Sequence, residues 1–205
     1  MKRFSTYLQS GMTLIELMVS VALFTLLMLV VTTSIQQMYI YNAYTFAQAY
    51  QVQNARLGMQ ALIRDVREMT FADNGTFPLA VMDADEIGFY SDIDRDNSVE
   101  YVTFGFNGTS TIEKSIFNAT GSPPTYDLSA PDQVITLSRF VQNNFQATST
   151  FFYFDAAGIP VTNSSNITDV RYIEAQIIVN IDPIRSPGQF MLRSSAALRN
   201  VKENL

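Results

Sequence analysis

The chain has 205 residues, 47% of them hydrophobic, a net charge of −6, and neither cysteine nor histidine. The missing residues exclude a disulfide framework, a lipidated cysteine and any catalytic centre built on a Ser-His or Cys-His pair, and they remove the commonest transition-metal ligand. The acidic balance argues against nucleic acid as the main ligand, because phosphate contacts need a basic patch, although a small basic strip is not excluded.

Lys2 and Arg3 open the sequence. An apolar run then extends from Leu14 to Val31 and, with flanking Thr and Ile, to Ile35. About 20 such residues cross a bilayer as a helix, and the two leading cations predict a cytoplasmic N-terminus with the bulk of the chain exported. Between Leu17 and Ala55 there is no charged residue, which leaves Glu16 alone at the head of the run. A carboxylate there is costly and calls for a reason.

Three readings meet that demand differently. A signal peptide would be cut after the run at a small-x-small site, for which Ala47-Gln48-Ala49 has the form. A plain single-span anchor accounts for the hydrophobicity but for neither Glu16 nor Gly11, and Glu16 would then be a boundary residue reaching the interface. The third reading takes Ser10-Gly11-Met12-Thr13-Leu14-Ile15-Glu16-Leu17 as a unit. Gly11 to Glu16 resembles the leader-and-cut motif of type IV pilins and secretion pseudopilins. The resemblance implies a leader of residues 1–11, cleavage by a prepilin peptidase between Gly11 and Met12, and methylation of the new Met12 amine. Met stands where Phe is common in that family. It further implies that Glu16, fifth in the mature chain, neutralises the N-terminal amine of a neighbouring subunit when the apolar helices pack into a filament. Breaking such a pair in a low-dielectric core costs about 3–5 kcal/mol. Once the leader is removed, 11 basic residues face 19 acidic ones.

The helix is predicted to continue. Val52, Ala55, Met59, Leu62, Val66 and Met69 recur at steps of three and four, one apolar face, with Arg56, Arg64, Asp65, Arg67 and Glu68 mostly off it. Gly58 weakens this stretch by about 1 kcal/mol relative to Ala. Asp73-Asn74-Gly75 predicts its end. The expected organisation is thus a leader (1–11), a transmembrane and assembly helix (12–35), an amphipathic continuation (36–73) and a β-rich globular domain (74–205).

Beyond residue 75 the period changes. Strands are predicted at 86–91, 99–106, 111–117, 133–140, 149–155, 170–181 and 189–198, several of them alternating, as in Tyr101-Val102-Thr103-Phe104-Gly105-Phe106. Asn107-Gly108 predicts a hairpin, and 118–132, with Pro123, Pro124 and Pro131, a loop. The class is α+β: a long N-terminal helix, membrane-spanning in its first half and amphipathic in its second, packed on an antiparallel β-sheet domain.

Between the first two strands lies Asp92-Ile93-Asp94-Arg95-Asp96-Asn97-Ser98-Val99-Glu100. Alternating carboxylates in a short loop can converge on a hard cation. Asp92, Asp94 and Asp96 match the first three ligand places of an EF-hand. The match then fails, with Asn97 at the turn glycine and Thr103 at the bidentate glutamate. Glu100 could close a shorter calcium loop with those three aspartates. A solvated acidic turn, or a loop that meets a partner's basic group, fits the same residues.

The second half resembles the J-type pseudopilin and W-type minor pilin groups of the same superfamily, on Phe-Tyr-Phe-Asp at 152–155, Ile167-Thr168-Asp169-Val170-Arg171 and the closing Leu198-Arg199-Asn200. The resemblance implies a structural, non-enzymatic subunit placed at or near the tip of a type IV pilus or type II secretion pseudopilus. Its partners would be other major and minor pilins, the prepilin peptidase, an inner-membrane assembly platform and, before assembly, membrane lipid. It would reside in the bacterial inner membrane and afterwards in a filament or at the cell surface. The alternative is an adhesin or DNA-uptake module, with the 107–132 region as the surface to look at. No cofactor other than calcium is expected.

Overall fold

Uninterrupted apolar and helix-compatible residues from Leu14 onward leave the chain no reason to turn, and α1 runs Leu14–Glu68 in the computed structural model, which describes residues 11–185 and 188–199. Lys2, Arg3 and Ser10 of the expected leader, and Asn200 of the closing motif, lie outside the described residues. Two compact units divide between Phe46 and Ala47.

In the first unit, every large apolar side chain from Met12 to Tyr41 is exposed. This is a helix long and apolar enough to cross a membrane. Its hydroxyls bond back into the same helix: Ser20 donates to the Glu16 carbonyl (2.8 Å), Thr25 to Val21 (2.8 Å) and Thr32 to Met28 (2.7 Å). Polar groups satisfied within the segment suit surroundings that offer no water.

In the second unit, the remainder of α1 lies against antiparallel strands. Ala55, Met59, Leu62, Val66 and Met69 of the predicted stripe are buried, Val52 is half-buried, and Ile63 joins the buried set. One sheet contains β1 (Leu79–Met82), β2 (Ile87–Ser91), β3 (Glu100–Asn107), β4 (Thr111–Phe117) and β7 (Gln133–Ser138), in the order β1-β2-β3-β4-β7. A second has the order β10-β9-β8, from β8 (Phe151–Phe154), β9 (Tyr172–Val179) and β10 (Phe190–Ala197). One apolar cluster joins helix and both sheets, with Phe89, Phe104, Ile173 and Val179 fully buried in it. The α+β class with a helix packed on antiparallel sheet is therefore observed.

All seven predicted strands form, with ends shifted by no more than two residues, and Gly108 (φ +71°) opens the turn between β3 and β4. Four local expectations change. The helix stops at Glu68, five residues before Asp73: Met69 is fully buried and the Thr70 amide donates to the Tyr90 carbonyl (2.9 Å), so sheet contacts take the chain before the Asn-Gly turn is reached. β1 forms in a four-residue run with no alternation to announce it, and pairs with β2 through a bulge. The loop at 118–132 holds a small hairpin of β5 (Ala119–Thr120) and β6 (Thr125–Tyr126). Ile167–Asp169 belongs to a 3-10 helix, Ser164–Asp169, and the strand opens only at Tyr172.

Beyond the reach of β8, side-chain amides complete the edge of β9. Asn143 donates to the Gln176 carbonyl (2.9 Å) and accepts from the Ile178 amide (2.8 Å). Gln48 donates to the Val179 carbonyl (3.2 Å) and accepts from the Ile181 amide (2.9 Å). Each primary amide has the donor-acceptor pair of a peptide unit, so buried backbone groups stay paired where no strand covers them.

Candidate functional site

The N-terminal site is built on the start of α1. Thr13 is its N-cap: the Leu17 amide donates to the Thr13 carbonyl at 3.1 Å, the first intrahelical bond. The Glu16 amide donates to Thr13 Oγ1, while Glu16 Oε2 accepts from the Thr13 amide and from its hydroxyl, each at 3.4 Å. This reciprocal arrangement is a capping box, and its signal, Thr-x-x-Glu before an apolar run, stands in the sequence at 13–16. Treating Glu16 as an assembly residue alone misses it. The bonds are long, so the box holds the carboxylate loosely near the helix N-terminus, where negative charge is favoured.

Gly11 and Met12 precede the helix, exposed and non-helical. A Cβ at Gly11 would meet nothing within 4 Å. Packing among the described residues does not require glycine there. The rival cut site is placed very differently. Ala47-Gln48-Ala49 is inside α1, and Gln48 is 1% exposed and hydrogen-bonded at both ends of its amide. A peptidase that needs an extended strand finds none at that point.

Residues 7–32 match the prokaryotic N-terminal methylation motif. No curated protein and no solved structure matches the chain. The motif supports a type IV pilin-like or pseudopilin-like chain, a class of structural filament proteins, and it contains Gly11, Met12 and Glu16. With the exposed apolar helix it fits an inner-membrane-anchored subunit.

The acidic loop joins β2 to β3. Oxygen atoms of Asp92, Asp94 and Glu100 all lie within 4.8 Å of one another. Asp96, the fourth predicted ligand, is not among them. Its Oδ1 accepts the Ser98 amide (2.7 Å), while Asp92 Oδ1 accepts the Arg95 amide (2.7 Å). The loop curls through positive φ at Arg95 (64°) and Asn97 (72°). Glu100 is 3% exposed and takes the Ile93 amide on Oε2 at 2.8 Å. Burial pushes its carboxyl above the usual carboxylate range; the Ile93 amide opposes this, and the negative Asp94 and Asp96 add to it.

The 107–132 region carries a single cation, Lys114. Lys114 is buried, with Nζ 2.7 Å from Asp65 Oδ2. No exposed cationic side chain is left in that stretch to meet a phosphate backbone.

Proposed function

We propose that this chain is a minor pilin or pseudopilin of the J-type or W-type kind. Prepilin peptidase would cleave it between Gly11 and Met12, and the new Met12 amine would be methylated. The chain would wait in the inner membrane with its N-terminus cytoplasmic. The assembly platform would then extract it into, or to the tip of, a type IV pilus or type II secretion pseudopilus beside other pilins. The observation that carries this reading is the position of Glu16. It is five residues past an unpacked glycine, at the head of a helix whose large apolar side chains are exposed as far as Tyr41. In a helical bundle the exposed surface would be covered by equivalent helices, and the Glu16 carboxylate would meet a neighbour's ammonium in a medium where separating them is costly.

The capping box supplies the discriminating experiment. Glutamine serves at the third helical position of such a box as glutamate does, but carries no charge. Glu16→Gln therefore keeps both halves of the box, whereas Glu16→Ala keeps the Thr13 cap on the residue-16 amide and loses only the bonds made by the Glu16 carboxylate. Both variants are expected to be cleaved, to give a mature mass beginning at methylated Met12, and to fail to enter filaments in sheared fractions. Filament entry by Glu16→Gln at wild-type level would reduce Glu16 to a cap. An intact leader, or a mature N-terminus at Gln48 or later, would overturn the whole reading.

A further inference from the structure

We propose that the β2–β3 loop is a binding site for one hard divalent cation, calcium, held by the carboxylates of Asp92, Asp94 and Glu100 with the hydroxyl of Ser91 beside them. Calcium bonds to oxygen at about 2.3–2.6 Å, so oxygens that share one ion lie about 3–5 Å apart. The three carboxylates meet that separation. Each has accepted one backbone amide through a single oxygen, which leaves acceptor capacity on the other.

Among the described residues no lysine or arginine pairs with Asp92, Asp94 or Glu100. Arg95, in the middle of the loop, reaches Glu68 instead, at 3.5 Å. A bound cation would relieve the mutual repulsion of like charges around the buried Glu100 carboxylate.

Ser91 is the independent observation. It is fully buried, and among the described residues its Oγ is the buried side-chain oxygen or nitrogen without a hydrogen-bond partner. An orphan hydroxyl in a folded chain calls for an explanation. Ser91 faces Glu100 directly across the β2–β3 ladder, and residues opposite each other in an antiparallel pair point to the same face of the sheet. The orphan oxygen is therefore on the side from which the Glu100 carboxylate extends. Ser91 itself is closed off, but Asp94 and Glu100 border a cavity of about 460 Å³ that Asn118 and Asp132 also line. It supplies an entry path and room for water ligands.

The donor set selects the ion. It contains only oxygen, which disfavours zinc and copper. A curled loop of carboxylates with mixed burial suits the variable geometry of calcium better than the strict octahedron of magnesium. The site does not depend on entry into a filament, so it stands or falls apart from the assembly reading.

The test uses the full chain in detergent micelles. Terbium is titrated as a luminescent calcium probe, sensitised by Tyr90 and Tyr101, which flank Ser91 and Glu100 in sequence, and is then displaced with calcium. One saturable ion per chain is expected, with a melting temperature raised by about 5 °C in millimolar calcium. Glu100→Gln and Asp94→Asn should each weaken binding about tenfold or more, Ser91→Ala by a few-fold, and Asp96→Asn by less than about twofold. Should Glu100→Gln fail to fold, the exposed Asp94→Asn tests the same ligand set. Binding that falls equally with Asp96→Asn and Asp94→Asn would reveal diffuse attraction to an acidic loop and overturn the site. Absence of a saturable signal, or of a thermal shift, at millimolar calcium would do so as well.

Discussion

The two stretches of α1, residues 14–41 and 52–69, share a secondary structure and differ in their solvent. In the first, apolar side chains point in every direction and all the large ones are exposed. In the second, apolar residues fall on one stripe, charged residues separate them, and the stripe is buried under two sheets. A helix apolar all round has no preferred face, so it is suited to surroundings that are apolar all round. A helix apolar on one stripe is committed to a single partner surface, and this chain supplies that surface itself. Helix propensity does not distinguish the two; the pattern of charges along the helix does.

The largest test of that contrast concerns the buried ion pair in the second stretch. Lys114 Nζ lies 2.7 Å from Asp65 Oδ2, with side chains only 5% and 2% exposed, and Arg64 reaches the other Asp65 oxygen at 3.2 Å from the surface. Lys114→Met leaves a buried carboxylate without its main partner and is expected to cost about 3–5 kcal/mol in chemical denaturation. Asp65→Leu combined with Lys114→Met should recover most of that loss. A double variant no better than the single one would show that the pair does more than neutralise itself.

Next in size is the same truncation made in both stretches. Leu62→Ala removes a side chain that is 3% exposed and should cost the β domain about 2–5 kcal/mol. Leu27→Ala alters one that is 65% exposed and should leave the unfolding transition of that domain where it was. Equal shifts would show that the first stretch is packed against something in the isolated chain.

The smallest effect is expected at Gly58. A helix gains about 1 kcal/mol from Gly→Ala. Here the new Cβ would stand 2.9 Å from Leu137 Cβ and 3.1 Å from the Leu137 carbonyl, on the β7 strand. Overpacking of about 1–3 kcal/mol outweighs the propensity gain. Gly58→Ala should therefore lower the denaturation midpoint slightly, whereas a rise would show that β7 can retreat from the helix.

In the sequence Gly58 is only a helix weakness, because Leu137 is far away along the chain. Asp65 falls off the apolar face for the same reason: a period of 3.6 identifies which face is apolar, but not that Lys114 will bring a charge to meet an aspartate beside it. The strands at 87–91, 100–107 and 111–117 are legible because alternation is local, while Leu79–Met82 and the hairpin at 119–126 have no alternation and form through neighbours supplied by the sheet. The capping box at Thr13 and Glu16 is legible as well, three residues apart, yet the membrane cost of the carboxylate points away from that near partner and towards a distant one.

What this sequence determines by itself lies within a few residues along the chain: the uncharged span, the Gly-Met junction, the Thr-x-x-Glu helix start and the period of each element. Those follow from side chains that meet within one turn or one ladder step. The tertiary structure alone decided which acids converge in the β2–β3 loop, that Asp96 turns away to cap the Ser98 amide, and that Ser91 is left without a partner opposite Glu100. These depend on strand register and burial: a single-residue slip of β3 against β2 would turn Glu100 to the face of the sheet away from Ser91.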